Sequence, residues 1–205
     1  FAATDARRES VPLLVSLVGP SGSGKTTSAL RLATGIQSIV GGDIHVIDTE
    51  NRRALHYADQ FKFKHIQFDP PFASLDYLAA IDQSAQAGGK VIIIDSGSHE
   101  HDSVGGMLDF HESELDRMAG QDYAKRERMT MLAWQKPKAA RRRLLQGITR
   151  LDAHVIMCFR AKETSRPVKV DGKTKIIEMG FIPIAGPEFV YAAPVGLSDQ
   201  YGFLS

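Results

Sequence analysis

Between two apolar segments the chain reads Gly19-Pro20-Ser21-Gly22-Ser23-Gly24-Lys25-Thr26, which matches the pattern G-x-x-x-x-G-K-[ST] at every fixed position. The apolar run 13–18 before it is typical of a strand, and the amphipathic segment 25–36 after it is typical of a helix. In that setting glycines let successive backbone N–H groups curl around phosphate oxygens, and the helix N-terminus adds a positive dipole. The stretch therefore predicts a phosphate-binding loop, in which Lys25 reaches the β and γ phosphates of ATP and Thr26 ligates Mg²⁺.

A second motif lies further along the chain, where four apolar residues at 91–94 are followed by Asp95 and Ser96. A carboxylate at the C-terminal edge of a buried strand, beside the phosphate loop, is suited to hold the Mg²⁺ shell as a Walker B aspartate. The other interpretation is an Asp that starts a turn after a strand, but the upstream phosphate loop favours the metal role. The two motifs together predict a site for ATP and Mg²⁺, with Thr26 and Asp95 as the metal ligands.

Around these motifs, strand-length apolar runs alternate with helix-length amphipathic segments, which is typical of an α/β fold with a mostly parallel sheet. Strands are predicted at 13–18, 44–48, 65–68, 91–95 and 154–159. Helices are predicted at 25–36, 75–86, parts of 106–119, and 123–151 with a break near Pro137.

The residue pattern of the sequence changes after Arg160. Residues 167–177 alternate around the dipeptide Asp171-Gly172, a strong hairpin signal, and the tail 181–190 is expected to add another strand. We therefore predict a single domain over 1–205, with a core at about 12–162 and a C-terminal β-hairpin and strand appendage at about 163–205.

Composition limits the classes of protein that fit. The 205 residues include 25 Lys and Arg against 24 Asp and Glu, so the net charge of +1 does not by itself demand a polyanionic partner. A hydrophobic content of 43% and a charged content of 24% argue against disorder and coiled coil. The single cysteine, Cys158, excludes an internal disulfide and is most simply a small core residue.

The sequence also bears on location. No apolar run approaches the roughly 20 residues that span a bilayer, and the first residues are too polar for a signal peptide. We expect a cytoplasmic protein with no membrane partner.

ATP hydrolysis needs a carboxylate that orients or deprotonates the attacking water. Many motor-type NTPases carry Glu directly after the Walker B Asp, but Ser96 stands there in this chain. The segment 44–50 offers a substitute, because it reads as a strand that ends in Asp48, Thr49 and Glu50. If that strand neighbours the strand of Asp95, Glu50 can face the γ-phosphate.

At these motifs the sequence resembles the RecA-like ATPase core, over about 12–162. Its Gly19-Pro20, the run 23–27 ending in Thr27, Ile47-Asp48-x-Glu50 and the segment 91–96 follow that family's motif order and approximate spacing. The resemblance implies a three-layer P-loop NTPase fold in which Glu50 activates water and Tyr57, seven residues further on, stacks on adenine. It is closest to compact RecA-like ATP-binding proteins of bacteriophage recombination and replication, which implies a homo-oligomeric ring or filament in the bacterial host cytoplasm.

The RecA-like family also places a polar sensor of the γ-phosphate at the end of the next core strand. That strand is 153–159 here, and Arg160 and Lys162 follow it. RecA carries glutamine in this region, so Arg160 departs from the pattern. Either Arg160 or Lys162 is expected to sense the γ-phosphate, or to act across a subunit interface as a cationic finger.

Positive charge is concentrated in the segment 123–150, which holds nine basic residues against one acidic residue, Glu127. A basic segment with Trp134 inside it suits contacts with backbone phosphates and stacking on bases, although a solvated helix face is the other interpretation. Hairpin lysines occupy the region where RecA-like proteins carry a DNA-contacting loop. The candidate nucleic-acid residues are Lys136, Lys138, Arg141, Arg142, Arg143, Lys169, Lys173 and Lys175.

A cluster of His and acidic residues runs over 99–102, with His111 and Glu112 downstream. The cluster has no recognised metal-ligand spacing, which favours solvated or loop-capping roles. Glu100 is a further candidate for a second catalytic carboxylate, ranked below Glu50.

The leading hypothesis is a RecA-like ATPase that couples Mg²⁺·ATP hydrolysis to assembly on single-stranded DNA. Three alternatives remain open: a small-molecule phosphotransferase with Arg141, Arg142 and Arg143 as a phosphate-clamping lid, a nucleotide-gated binding module, and a DNA packaging or helicase motor.

Overall fold

The computed structural model of the protein describes residues 5, 11–170, 173–186, 188–189 and 195–198, with the backbone alone for 166–170, 173–179 and 195–198. The strands are β1 (Leu14–Gly19), β2 (Asp43–Asp48), β3 (Lys64–Gln67), β4 (Gly89–Asp95), β5 (His154–Val170), β6 (Lys173–Pro183) and β7 (Val195–Ser198). The helices are α1 (Lys25–Val40), α2 (Ser74–Gln86), α3 (His99–Asp102), α4 (Met107–Ala119), α5 (Tyr123–Ala133) and α6 (Gln135–Ile148), with a 3₁₀ helix at Arg53–Tyr57.

The central sheet has the strand order β3-β2-β4-β5-β1-β7, and every neighbouring pair on this path is parallel. Parallel strands that are covered on both faces carry continuous apolar runs, as residues 91–94 of β4 do. Strand β5 lies between β4 and β1, so the two strands that carry the sequence motifs are next-but-one neighbours.

Helices cover both faces of the sheet. On one face α1 buries Ala29, Leu30 and Ala33 against β1, β2 and β4. On the other face α2 and α6 bury Ile81 and Leu144 against β4 and β5. The predicted three-layer α/β fold with a mostly parallel sheet is confirmed.

The observed helix boundaries can be compared with those predicted from the sequence. Helix α1 begins after Gly24, as predicted, and continues four residues beyond the predicted end to Val40. The predicted break in 123–151 occurs at Trp134, and Pro137 falls in the first turn of α6, where a missing N–H costs no intrahelical bond. Within the described residues no helix has both the length and the apolar character needed to cross a membrane.

The C-terminal segment differs from the prediction in two respects: the strand expected over 181–190, and a strand that joins the central sheet beyond the predicted end of the core near 162. Strand β5 continues past the sheet and pairs antiparallel with β6, with Val170 opposite Lys173, while Asp171 and Gly172 lie outside the described residues. The predicted separate strand over 181–190 is wrong, because β6 ends at Pro183 and Phe189 is instead buried in the core, 5.4 Å from the ring of Phe159. The next strand is β7, which pairs with β1.

Candidate functional site

The predicted phosphate loop connects β1 to α1 at the C-terminal edge of the sheet. Gly22 and Gly24 have φ values of 81° and 83°, a left-handed backbone conformation that glycine adopts without steric cost. Residues 21–24 are exposed, and the first N–H groups of α1 have no intrahelical carbonyl partner. The loop therefore presents backbone donors and a helix N-terminus to an anion.

The side chain of Lys25 folds back over this loop. Its ammonium donates hydrogen bonds to the carbonyls of Gly19 at 2.9 Å and Pro20 at 2.7 Å. These bonds hold a positive charge at the mouth of the loop, where the sequence predicts phosphate.

A short hydrogen bond connects the two sequence motifs. The hydroxyl of Thr26 donates to Oδ2 of Asp95 across 2.5 Å, and Asp95 is only 5% exposed. Burial raises the pKa of Asp95, and the hydrogen bond from Thr26 opposes that rise. The negative charges of Glu50 and Asp48 raise the pKa of Asp95 further. A hydroxyl and a carboxylate are oxygen donors of the kind that Mg²⁺ takes, so Thr26 and Asp95 fit the predicted metal.

The loop after β2 is organised by the buried carboxylate of Asp48. Oδ1 accepts a hydrogen bond from the N–H of Glu50 at 2.8 Å, and Oδ2 accepts one from the N–H of Ala54 at 2.9 Å. The ring of His65 lies 3.1 Å from the same Oδ2. Because β2 pairs with β4 in a register that sets Asp48 opposite Asp95, this loop lies beside the Walker B strand, as the sequence analysis required for Glu50.

The carboxylate of Glu50 has a basic group near each oxygen. Its Oε2 lies 3.7 Å from Nη1 of Arg53, and its Oε1 lies 3.9 Å from Nε2 of His99. Both separations exceed hydrogen-bond length, so the lone pairs of the carboxylate remain available. Arg53 was not predicted, although it follows Glu50 at the three-residue spacing of a helical ion pair, and His99 was expected to be solvated or loop-capping but is 14% exposed beside Glu50.

These elements enclose a cleft of about 530 Å³, open solvent included. The cleft is lined by Ser21, Gly22, Gly24, Lys25, Thr26, Glu50, Arg53, Tyr57, Asp95, Ser96 and Arg160. It thus brings together seven side chains that the sequence singled out: Ser21, Lys25, Thr26, Glu50, Tyr57, Asp95 and Arg160. Ser23 is exposed beside the cleft, and Thr27 lies partly buried on α1.

The two candidate sensors occupy different positions. Arg160 lines the cleft, its N–H donates to Oγ of Ser98 at 2.8 Å, and its Nη2 donates to Asp102 at 3.1 Å. The Nε of Arg160 is buried without a hydrogen-bond partner among the described residues. Lys162 is exposed further along β5 and does not line the cleft, so the geometry favours Arg160 as the γ-phosphate sensor.

Two predicted roles are overturned by a buried ion pair. The guanidinium of Arg141 donates to both carboxylate oxygens of Glu100, at 3.2 and 2.7 Å, and the two side chains are 4% and 0% exposed. Ser74 donates a further bond of 2.5 Å to Glu100. Arg141 is therefore not a nucleic-acid contact and Glu100 is not a second catalytic carboxylate, because each is enclosed between α2, α3 and α6.

Part of the remaining basic segment is neutralised by acids of α4. Arg126 pairs with Glu112 and Asp116, and Lys136 pairs with Glu114 at 3.0 Å. Trp134 is stacked on His111, with ring centroids 4.0 Å apart, so one of its faces is already covered. Six exposed basic residues have no ion pair with any described carboxylate: Lys125, Arg128, Lys138, Arg142, Arg143 and Arg150.

For the hairpin lysines the structure describes the backbone alone. The backbones of Lys169, Lys173 and Lys175 belong to β5 and β6, and their side chains lie outside the described part of the chain.

Among comparisons with known proteins, the family model agrees with a nucleotide site. A family model described as an AAA domain matches residues 12–203. No curated protein matches the chain. Among solved structures, the chain is similar to a KaiC-like protein from the hyperthermophilic archaeon Pyrococcus horikoshii OT3, at 13% identity and a TM-score of 0.40, over 82% of this chain and 79% of that one.

Proposed function

The chain belongs to the AAA domain family, and from that premise we propose that it is a Mg²⁺-dependent ATPase that acts in DNA recombination or replication on single-stranded DNA. The observation that carries the ATPase proposal is the 2.5 Å hydrogen bond between Thr26 and Asp95, at the foot of a cleft that also contains Lys25 and Glu50. This arrangement supports the proposal because candidate metal ligands, a cation for phosphate and a carboxylate line the same cleft.

Each group has a chemical task in ATP hydrolysis. Bound Mg²⁺ supplies charge neutralisation of the phosphate oxygens, and Thr26 and Asp95 would hold it. Lys25 exchanges the carbonyls of Gly19 and Pro20 for phosphate oxygens, which a cation prefers to neutral acceptors. Glu50 orients the attacking water and accepts its proton.

Two further residues complete the proposed nucleotide site. Arg160 lines the cleft, and its guanidinium would stabilise the negative charge of the γ-phosphate as the bond to the leaving group breaks. Tyr57 is half-buried at the cleft and offers its ring to the adenine base.

The proposal for DNA rests on the exposed cations of α5 and α6, represented by Arg142 and Arg143. Their charge is not cancelled by a described carboxylate, whereas that of Arg126 and Lys136 is. An arrangement of this kind suits the phosphate backbone of a single strand and predicts strongly salt-dependent binding.

We further propose that the protein assembles as a homo-oligomeric ring or filament, as RecA-like ATPases do. In that assembly the exposed Lys162 is free to act across a subunit interface as a cationic finger. Measuring the molecular mass with and without ATP and single-stranded DNA tests this, and a mass that stays monomeric under all conditions contradicts it.

The central experiment measures phosphate release with and without single-stranded DNA over a series of salt concentrations. Glu50→Gln should lower kcat by about 10²- to 10⁴-fold, the contribution of a general base, while ATP binding is retained. Glu163→Gln is the matched control, because it makes the same chemical change at an exposed position of β5 away from the cleft.

The alternatives give different results in the same assay. Tight ATP binding without turnover, and indifference to Glu50→Gln, identify a nucleotide-gated binding module. ADP formed without phosphate and only with an added acceptor identifies a phosphotransferase, which the burial of Arg141 in its proposed lid already disfavours. Absence of DNA binding and of stimulation at low salt removes the DNA part of the proposal and leaves the ATPase.

A further inference from the structure

The histidine beside Glu50 is held in one orientation by its surroundings. Its Nδ1 lies 2.7 Å from the hydroxyl oxygen of Thr49, and its ring stacks on Phe72 with centroids 4.9 Å apart. The side chain of this residue, His99, is 14% exposed. These contacts orient the other ring nitrogen, Nε2, toward the carboxylate of Glu50.

The backbone that carries His99 is fixed as well. The carbonyl of Ser96 accepts a bond from the Tyr77 hydroxyl at 2.9 Å, and the N–H of Gly97 donates to the carbonyl of Cys158 at 2.8 Å. The N–H of Ser98 donates to Oγ of Ser96 at 3.1 Å. The turn between β4 and α3 is thus hydrogen-bonded to α2 and β5. These bonds fix the position of His99 relative to the loop after β2 that carries Glu50.

The hydrogen bonds of Thr49 favour one of the two imidazole tautomers. Its Oγ1 accepts from the N–H of Ser96 at 2.7 Å, which leaves its one proton for an acceptor. Nδ1 of His99 lies nearer, at 2.7 Å, than the carbonyl of Ser96, at 3.1 Å. If the hydroxyl donates to Nδ1, the ring proton is on Nε2, the nitrogen that faces Glu50.

The lowered pKa of His99 agrees with an uncharged imidazole that donates a hydrogen bond from Nε2. Burial lowers the pKa of His99, and the positive charge of Arg160 lowers it further, while the carboxylates of Glu50 and Asp102 oppose this. At neutral pH the imidazole is uncharged, so it can fix the position of Glu50 without an ionic bond that would weaken Glu50 as a base.

Resting on the ATPase function proposed above, we propose that His99 is a positioning residue for Glu50. Its Nε2 lies 3.9 Å from Oε1 in this structure, and the Nε2–H fixes the position of the carboxylate when a small movement closes that gap to hydrogen-bond length. Arg53, which is half exposed and lines the cleft, lies near the other oxygen of the same carboxylate. His99 and Arg53 thus approach different oxygens of Glu50, and the more enclosed of the two, His99, is the one whose orientation is fixed.

The test compares three substitutions of His99 that distinguish the contribution of Nε2 from that of Nδ1. Gln places an N–H near the position of Nε2, Asn places an amide near Nδ1, and Ala provides neither. We expect His99→Ala and His99→Asn to lower kcat about 10- to 100-fold with an unchanged KM for ATP, as misplacement of a reacting group does, and His99→Gln to retain most of the activity.

The matched control is His101→Gln and His101→Ala. His101 lies on the same short helix but contacts Arg141 at 3.0 Å and not Glu50, so its replacement should leave kcat unchanged. Thermal unfolding of every variant accompanies the kinetics. Equal activity in all three His99 variants overturns the proposal. So does activity that follows the melting temperature, and so does activity that Asn restores and Gln does not.

Failure of this inference is distinguishable from failure of the proposed function. If Glu50→Gln is as active as the wild-type protein, Glu50 is not the base, and the function proposal itself is wrong. If Glu50→Gln is inactive while His99→Ala matches the wild type, the ATPase proposal stands and His99 has no positioning role.

Discussion

Arg141 and Glu100 form an ion pair at 2.7 Å in which neither side chain reaches solvent to any useful extent. Burial raises the pKa of Glu100, and the hydrogen bonds and positive charge of Arg141 oppose that change. The pair connects α6 to α3, the short helix directly after the strand of Asp95. Helix α6, which carries the exposed cations Lys138, Arg142 and Arg143, is thereby attached to the segment that follows the strand of Asp95.

Replacing Arg141 with Met should lower the free energy of unfolding by about 3–5 kcal/mol, because Glu100 is left buried without its cation. The double change Arg141→Met with Glu100→Gln should cost less than the single change, since no unpaired charge remains. Urea unfolding measures both. Arg142→Met, at the exposed neighbouring position, should stay within about 0.5 kcal/mol, and a double variant as unstable as Arg141→Met alone would contradict the argument.

The position of Arg141 illustrates a signal that was present in the sequence. The buried residues of α6 are Pro137, Arg141, Leu144 and Ile148, which recur at the spacing of one helix face. Arg141 therefore stands on the apolar stripe, while Arg142 and Arg143 point elsewhere. Counting basic residues treats the three arginines alike, and only the helical phase separates them.

The phosphate loop and the sheet were predictable because both depend on local patterns. The spacing of Gly19, Gly24 and Lys25 and the apolar run before Asp95 are contiguous in sequence, so no knowledge of tertiary contacts was needed. The approach of His99 to Glu50 depends on two loops from different strands meeting at the edge of the sheet. No sequence spacing encodes that meeting, so it emerged only from the structure.

Asp48→Asn should weaken both the fold and the catalytic loop. Both carboxylate oxygens accept a backbone N–H, from Glu50 and from Ala54, and an amide offers only one acceptor. One buried N–H then faces an NH₂ group, which should lower the free energy of unfolding by about 1–3 kcal/mol. Because the loop positions Glu50, kcat for ATP should fall together with stability. Asp43→Asn, on the same strand but exposed and paired with Lys64, is the control and should change kcat little.

Stability should decrease as the solution is acidified, in part because of His45. This side chain is 2% exposed on β2, and its Nδ1 lies 2.9 Å from the hydroxyl of Ser84. Burial lowers the pKa of His45, and the charge of Lys64 lowers it further while Asp43 opposes. The unfolded chain, with a histidine pKa of about 6.5, binds the proton more readily, so this stability is present above that pH and is lost as the pH falls below it.

The measurement for His45 is urea unfolding over a pH series. The wild-type free energy of unfolding should fall between pH 7.5 and 5.5, and His45→Gln should show a shallower fall because one of the responsible groups is gone. His56→Gln, at an exposed position of the 3₁₀ helix, should keep the wild-type slope. Identical slopes for wild type and His45→Gln would show that His45 does not contribute.

The exposed arginines of α6 offer the sharpest test of DNA binding. If Arg142 and Arg143 contact backbone phosphates, replacing both with Ala weakens binding to single-stranded DNA and reduces the slope of log K against log salt concentration by about 1.4, from about 0.7 per phosphate contact. The double variant Arg31→Ala with Lys62→Ala removes the same charge at exposed positions elsewhere and should leave the slope unchanged. Fluorescence anisotropy with a labelled oligonucleotide measures both. Equal losses in the two double variants would assign the effect to net charge and not to a binding surface on α6.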